Sequence, residues 1–275
     1  YKMFAAHSPT PKTIEMRFAH SFTENISIAT LIKAPDNSMP AFEHSHDEYE
    51  FILPLTPIPF LTREEAVYFG EVGWVYPVPS NKRHGIKYDL VDVTHHDIAI
   101  RKEYLDAIIA DKGMTGIAFN QLFRTTKYLN LYIDALHDEC SKGEKKDAHK
   151  LKHLAALICV ELIDEGLNAE IPDIDEGKEK SGYQKGLRSI AEFLNANYQK
   201  DISMAELAKM NGFSPNYFAV SFKKLFGDTP RAYLTKLRVS KAKLLLETTQ
   251  EPMEYIAVEC GFKKPNTFST AFKAA

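Results

Sequence analysis

The chain has 275 residues, of which 44% are hydrophobic and 26% charged, with a formal net charge of −3. That length suits two domains. No apolar run approaches the ~18 residues needed to cross a bilayer, no signal-peptide pattern is visible, and three scattered cysteines (Cys140, Cys159, Cys260) make neither a disulfide framework nor a thiolate metal site, so a cytoplasmic protein is expected.

In chain order, residues 13–110 read as all-β. Short alternating runs recur at Ser27–Ile32, Tyr49–Leu53, Ala66–Phe69, Gly73–Tyr76 and Asp92–Ile100, separated by Pro, Gly and Asn clusters, as in a sandwich or small barrel. Within them lies Glu43-His-Ser-His-Asp-Glu-Tyr-Glu50, and further on Gly73, Pro79 and His84. On one unbroken strand, the even positions His44, His46 and Glu50 share a face. With an imidazole from a neighbouring strand they make a divalent-metal site with open positions. The spacing resembles the two cupin motifs, His-x-His-xxx-Glu and Gly…Pro…His, whose matching positions here are His44, His46, Glu50 and His84. Two departures stand against metal binding. Pro54–Pro59 replaces the glycine after the first motif, and Trp74 stands where an acidic residue usually follows the second motif's glycine. His95 and His96 lie on another strand, and neither is expected as a ligand. Inward residues such as Phe51, Tyr68, Trp74 and Tyr76 would line an effector pocket, though ordinary core is the competing role for each.

From Ile117 to Leu167 the period turns helical. Leu122, Leu129, Ile133 and Leu136 form one stripe. Leu151, Leu154, Ile158 and Leu162 form another. Asn168–Gly182, rich in Asp, Glu, Lys and Gly, reads as a linker. The division expected is 1–112 barrel, 113–168 helical dimerisation or packing segment, 169–182 linker and 183–275 C-terminal domain.

The C-terminal part contains one unit twice. Met204, Leu207, Ala208, Gly212 and Phe213 recur 49 positions later as Met253, Ile256, Ala257, Gly261 and Phe262; Pro215, Asn216, Phe218 and Phe222 recur 50 later as Pro265, Asn266, Phe268 and Phe272. Each copy is a short apolar helix, a turn opening on Gly, and a helix starting at Pro with two apolar anchors four apart. That is a helix-turn-helix, whose second helix can enter a major groove. Arg231–Thr248 between the copies reads as one long helix that fixes their separation. From Tyr183 onward there are 14 Lys+Arg against 8 Asp+Glu; the preceding residues hold 20 against 29. A basic module joined to an acidic one suits a phosphate-backbone partner for the C-terminal part alone. With Phe218 and Phe222 inward, Asn216, Ala219 and Val220 are the base readers of the first unit. Asn266, Thr267, Ser269 and Thr270 are those of the second. Lys223, Lys224, Arg238, Lys241, Lys263, Lys264 and Lys273 are candidate phosphate contacts.

Ala208, Gly212, Phe213, Ser214, Pro215, Tyr217, Phe222, Gly227, Thr229, Pro230, Arg238, Ile256, Ala257, Gly261, Phe262, Phe268 and Phe272 together resemble the signature of the AraC/XylS family of bacterial transcription regulators. The resemblance covers about 90 residues, implies an α+β multidomain fold, and offers for Arg238, which matches the family's arginine, a structural role as the alternative to phosphate contact. Its N-terminal half would be a cupin-like sensor barrel with dimerising helices, and its C-terminal half an all-α tandem helix-turn-helix domain. It further implies a non-enzymatic, ligand-responsive regulator, homodimeric, with double-stranded DNA, a small effector and RNA polymerase as partners and no membrane. No cofactor is assured; a divalent metal in the barrel is the one the residues admit. A metal-sensing regulator or a metal-dependent cupin enzyme using His44, His46, Glu50 and His84 is the alternative.

Overall fold

The computed structural model describes residues 18–31, 38–39, 41–88, 90–91, 93–169 and 182–274. The N-terminal half contains β1 (Phe18–Phe22), β2 (Ile26–Leu31), β3 (Ser38–Met39), β4 (Phe42–His44), β5 (Tyr49–Pro54), β6 (Ile58–Arg63), β7 (Ala66–Gly70), β8 (Trp74–Val78), β9 (His84–Ile86), β10 (Leu90–Val91), β11 (His95–Ile100) and β12 (Phe123–Arg124). They form a six-stranded sheet ordered β1-β2-β11-β5-β8-β12, a four-stranded sheet ordered β4-β9-β6-β7, and a β3–β10 pair. All the pairings are antiparallel.

Strand alternation sorts the six-stranded sheet into two faces. Leu31, Ile52, Tyr76 and Val78 point one way and share a core with Ile58, Phe60, Leu61, Ile86 and Leu90 of the other sheet. Ile26, Ile28, Tyr49, Phe51, Leu53, Val75, Ile98 and Ile100 point the other way, under a helical layer of α1 (Lys102–Asp111), α2 (Lys127–Ser141) and α3 (Ala148–Leu167). Covered on both faces, β5 is buried at every position. This corrects one expectation: Phe51 is fully buried in the outer core against Phe119 and Phe123, so it does not line the barrel. Residues 102–111 are helical rather than part of an all-β stretch, and Leu122 precedes α2 instead of belonging to its stripe. Most of the expected linker, with Ile32 and Asp92 of the expected strands, lies outside the described residues.

α2 is seated on the sheet by a polar cluster. His137 meets Ser21 Oγ through Nδ1 at 2.6 Å and Thr30 Oγ1 through Nε2 at 3.1 Å, and the Thr30 hydroxyl also meets His96 Nδ1 at 2.8 Å. Burial, then the neighbouring His137, lowers the His96 pKa from 6.5 to about 4. As pH falls below 6.5 the unfolded chain therefore takes up this proton first. The stability is complete above pH 6.5 and drains away toward pH 4. We expect about 1–2 kcal/mol of acid destabilisation from this ring, discounted for its partial exposure. A His96→Gln variant should show a flatter stability profile between pH 6.5 and 4.5 in urea unfolding.

The C-terminal half is helical: α4 (Gly182–Ala196), α5 (Met204–Met210), α6 (Pro215–Phe226), α7 (Pro230–Thr248), α8 (Met253–Glu259) and α9 (Pro265–Ala274). The first helix-turn-helix shares a continuous core with the barrel, where Leu187, Ile190, Phe218 and Phe222 join Leu61 and Ile86. Phe69 meets Phe226 edge-on at 5.8 Å, the Arg188 guanidinium lies 5.0 Å from the Phe69 ring, and Lys87 Nζ donates to Glu192 at 3.2 Å. The second unit has a separate small core of Val239, Ala242, Ile256, Ala257, Cys260, Phe262 and Phe268. Among the described residues no helix is long and apolar enough to cross a membrane.

Candidate functional site

The two helix-turn-helix units are built by local signals. Ser203 caps α5 and Ser214 caps α6, each side-chain oxygen accepting an N–H from the first turn, and α6 and α9 both start at a proline. Gly227 ends α6 at φ 83°. On α6, Phe218 and Phe222 are buried, while Asn216, Val220 and Lys223 form an exposed row at spacings of four and three. Val220 is 62% exposed, an apolar group held in solvent at the middle of this row. On α9, Phe268 is buried, and Asn266, Thr267, Ser269, Thr270 and Lys273 are all exposed. Ala219 is half-buried, so it contributes less to the presented surface than its neighbours. Tyr217, 47% exposed and stacked on Phe213 at 5.9 Å, belongs to this surface and was not expected there. Its position beside Asn216 was the available signal.

Arg238 does not point to a partner. Its Nε donates to the Tyr198 carbonyl and its Nη2 to the Lys200 carbonyl, each at 2.7 Å. The expected phosphate contact is thus a clamp between α7 and the loop before α5. The turn at Gly261 reaches the same loop, and Lys263 pairs with Asp201 beside it. Lys223 and Lys224 lie in the last turn of α6, where they also complement its dipole.

A family model described as "Helix-turn-helix domain" matches residues 207–275. The chain is 36% identical over 97 residues to the HTH-type transcriptional activator RhaS of Mannheimia succiniciproducens, covering 34% of this chain and 36% of that one. It is 26% identical over 239 residues to RhaR of the same organism, covering 83% and 82%. A solved structure from Chromobacterium violaceum, a transcriptional regulator with an AraC-type DNA-binding domain, is 28% identical, with 34% of this chain and 82% of that one covered and a TM-score of 0.30. The C-terminal region is a helix-turn-helix domain similar to those of these transcriptional activators. The chain spans about a third of the length of the curated relatives it matches first.

Beyond the helix-turn-helix domain, the barrel holds a second constellation. His44, His46, Glu50 and His84 each offer a donor atom, all within 4.8 Å of one another. They meet differently from the expected single strand: β4 ends at His44, a bend carries His46, and Glu50 lies on β5. His84 pairs across strands with His44. Gly85 permits this approach, because at φ 156° a Cβ there would lie 1.9 Å from the Phe42 carbonyl oxygen. His46 Nε2 and His84 Nε2 stand 2.8 and 2.7 Å from the same oxygen, Glu50 Oε2. Burial would lower the His84 pKa, but the Glu50 carboxylate overrides it and raises the value to about 9. Burial would raise that of Glu50, yet His84 and His46 hold it far below the carboxylate range. Burial and then His84 lower His44 to about 4. Three imidazoles and a carboxylate, converging from both sheets, are a donor set suited to a divalent transition metal.

His95, 4% exposed, faces the barrel interior with its Nε2 3.1 Å from Asp97, whereas His96 faces α2. Of the other residues expected to line an effector pocket, Tyr76 is tied down, its hydroxyl donating to Phe69 O and accepting from Glu71 N. Trp74 is covered by the Arg124 guanidinium at 3.9 Å. Tyr68 lines a cleft of about 330 Å³ together with Arg63, Glu64, Pro79, Lys82 and Asn120.

Proposed function

We propose that this protein is a transcription regulator that binds operator DNA through both helix-turn-helix units, under the control of a ligand in the N-terminal barrel. The matched exposed rows on α6 and α9, joined through one rigid helix, carry this reading. Two recognition helices must enter successive major grooves about 34 Å apart. The barrel docks on the first unit through Phe69, Arg188 and the Lys87–Glu192 pair, which gives a ligand in the barrel a physical route to the DNA-binding half. α2 and α3 present Tyr128, Leu131 and Leu157, respectively 49%, 58% and 40% exposed, as an apolar surface for a second copy in a homodimer. RNA polymerase is the further partner that an activator would engage, and a cytoplasmic location follows from that role. An enzyme is disfavoured, because the relatives are named as transcriptional regulators.

The test is DNA binding measured by fluorescence anisotropy on a site selected from a random-sequence pool. Asn216→Ala should weaken that site by about tenfold to a hundredfold and relax preference at one base pair. Lys223→Ala should weaken all sequences alike and reduce the salt slope by about one. Equal, sequence-independent losses in both variants would refute base reading by α6.

A further inference from the structure

The two reading helices carry the same outward line of side chains. α6 presents Asn216, Val220 and Lys223, and α9, 50 positions on, presents Asn266, Thr270 and Lys273, every one of them exposed. Each line runs at spacings of four and three, so it occupies one stripe of its helix. The two stripes face the same way relative to their units, because matching phenylalanines fix the roll of each helix. The Phe218 ring lies 6.2 Å from Phe213 and 5.7 Å from Phe222; the Phe268 ring lies 5.1 Å from Phe262 and 5.3 Å from Phe272. Packing does not demand the match on the outer side. Exposed positions off the stripe differ between the units, Tyr217 against Thr267 and Lys224 against Ala274. On the stripe, the asparagine and the lysine are identical, and the middle residue keeps its branched shape as Val220 or Thr270. Val220 is 62% exposed and lies outside the buried core that Phe218 and Phe222 join.

We propose that both units read the same two-base word, an adenine taken by the asparagine and a thymine whose 5-methyl group meets the branched side chain, so that Val220 and Thr270 are specificity-determining residues. This rests on the DNA-binding reading above and adds the identity of the bases. An asparagine amide presents one acceptor and one donor side by side, the complement of the N6–H and N7 that adenine shows in the major groove. Val220 has no hydrogen-bonding group in its side chain, and the thymine methyl is the apolar group on that edge of the bases. Thr270 keeps one such methyl and replaces the other with a hydroxyl. Residues four apart on a helix are separated by about 6 Å along its axis. Base pairs stack at roughly 3.4 Å, so the adenine and the thymine lie about two base pairs apart. Lys223 and Lys273, three residues beyond, reach phosphates and set the register. The operator therefore holds this word twice, about one helical turn or ~34 Å apart.

The test uses the full chain and the site selected from the random pool, at one fixed salt concentration. That site should hold the word twice, the copies about ten to eleven base pairs apart. Replacing one of its thymines by deoxyuridine removes a single methyl group and no hydrogen-bonding group. In either copy the replacement should weaken wild-type binding about threefold to tenfold. Val220→Ala should lose the sensitivity to uracil in one copy and keep it in the other. Thr270→Ala should do the reverse, which also assigns each unit to its copy. Thr270→Val, which keeps the methyl, should retain the sensitivity that Thr270→Ala loses. Both side chains are exposed, so these variants should melt as the wild type does, and the uracil duplexes probe the wild-type chain without any variant. Two unrelated words in the selected site, uracil duplexes bound as tightly as thymine ones, or a uracil effect that survives both alanine substitutions would each overturn the shared word while leaving DNA binding intact. A pool that yields no enriched site would overturn both readings.

Discussion

Arg238→Ala should weaken binding to a two-half-site operator by about tenfold to a hundredfold and leave a half-site read by the first unit nearly unaffected. The guanidinium holds the Tyr198 and Lys200 carbonyls at 2.7 Å each, bridging 40 and 38 positions of chain. Removing it deletes two hydrogen bonds from a charged donor, together about 2–4 kcal/mol after allowance for partial exposure. The consequence for binding is geometric. α7 carries the second unit, and the 198–200 loop enters α5 of the first. Once unclamped, the second reading helix no longer holds its position relative to the first, and the effective concentration of the second contact falls. Arg238→Lys should not rescue, since one ammonium does not span two carbonyls in the fork arrangement. Anisotropy on full-site and half-site duplexes separates this role from phosphate binding, which would weaken both duplexes and lower the salt slope of each by about one.

The tandem units were legible because the same local devices, cap, glycine turn and paired phenylalanines, occur twice in register. For Arg238 the family match offered a structural role beside phosphate contact, but not its partners, because the acceptors lie on a loop about 40 positions away and no local pattern aims a guanidinium at a carbonyl. The barrel cluster was legible through its resemblance to the cupin motifs, which supplied His84, although its geometry differs from the single strand expected: the strand breaks after His44, and the residues meet across the turn into β5. β6 was hidden by its own proline. Pro59 reads as a strand breaker, yet the register shifts between Ile58 and Leu61 and Phe60 takes φ 67°, a bulge that accommodates it. Phe51 was misplaced for a related reason. When helices cover a sheet's outer face, both faces are apolar, and alternation no longer tells inside from outside.

Gly261→Ala should be far more damaging than the same change at the matching Gly212, and the repeat itself supplies the control. Both glycines end the first helix of their unit with positive φ, 83° and 74°. A methyl group at either costs about 1–2 kcal/mol for the left-handed backbone. At Gly212 nothing lies within 4 Å of the added carbon. At Gly261 the carbon would sit 2.6 Å from the Gln199 carbonyl oxygen and 2.8 Å from that of Tyr198, backbone atoms that Arg238 and its neighbours hold in place. The turn must then move away from the loop, which adds overpacking strain of about 1–3 kcal/mol. The second unit is poorly placed to absorb it, because its core is small and separate from the one the first unit shares with the barrel. We therefore expect Gly212→Ala to remain folded with a modest fall in stability. In Gly261→Ala, amide hydrogen exchange in α8 and α9 should accelerate while α4–α6 stay protected. Uniform acceleration across both units would instead mean that they unfold as one body, with the 198–200 loop acting as shared core rather than as a joint.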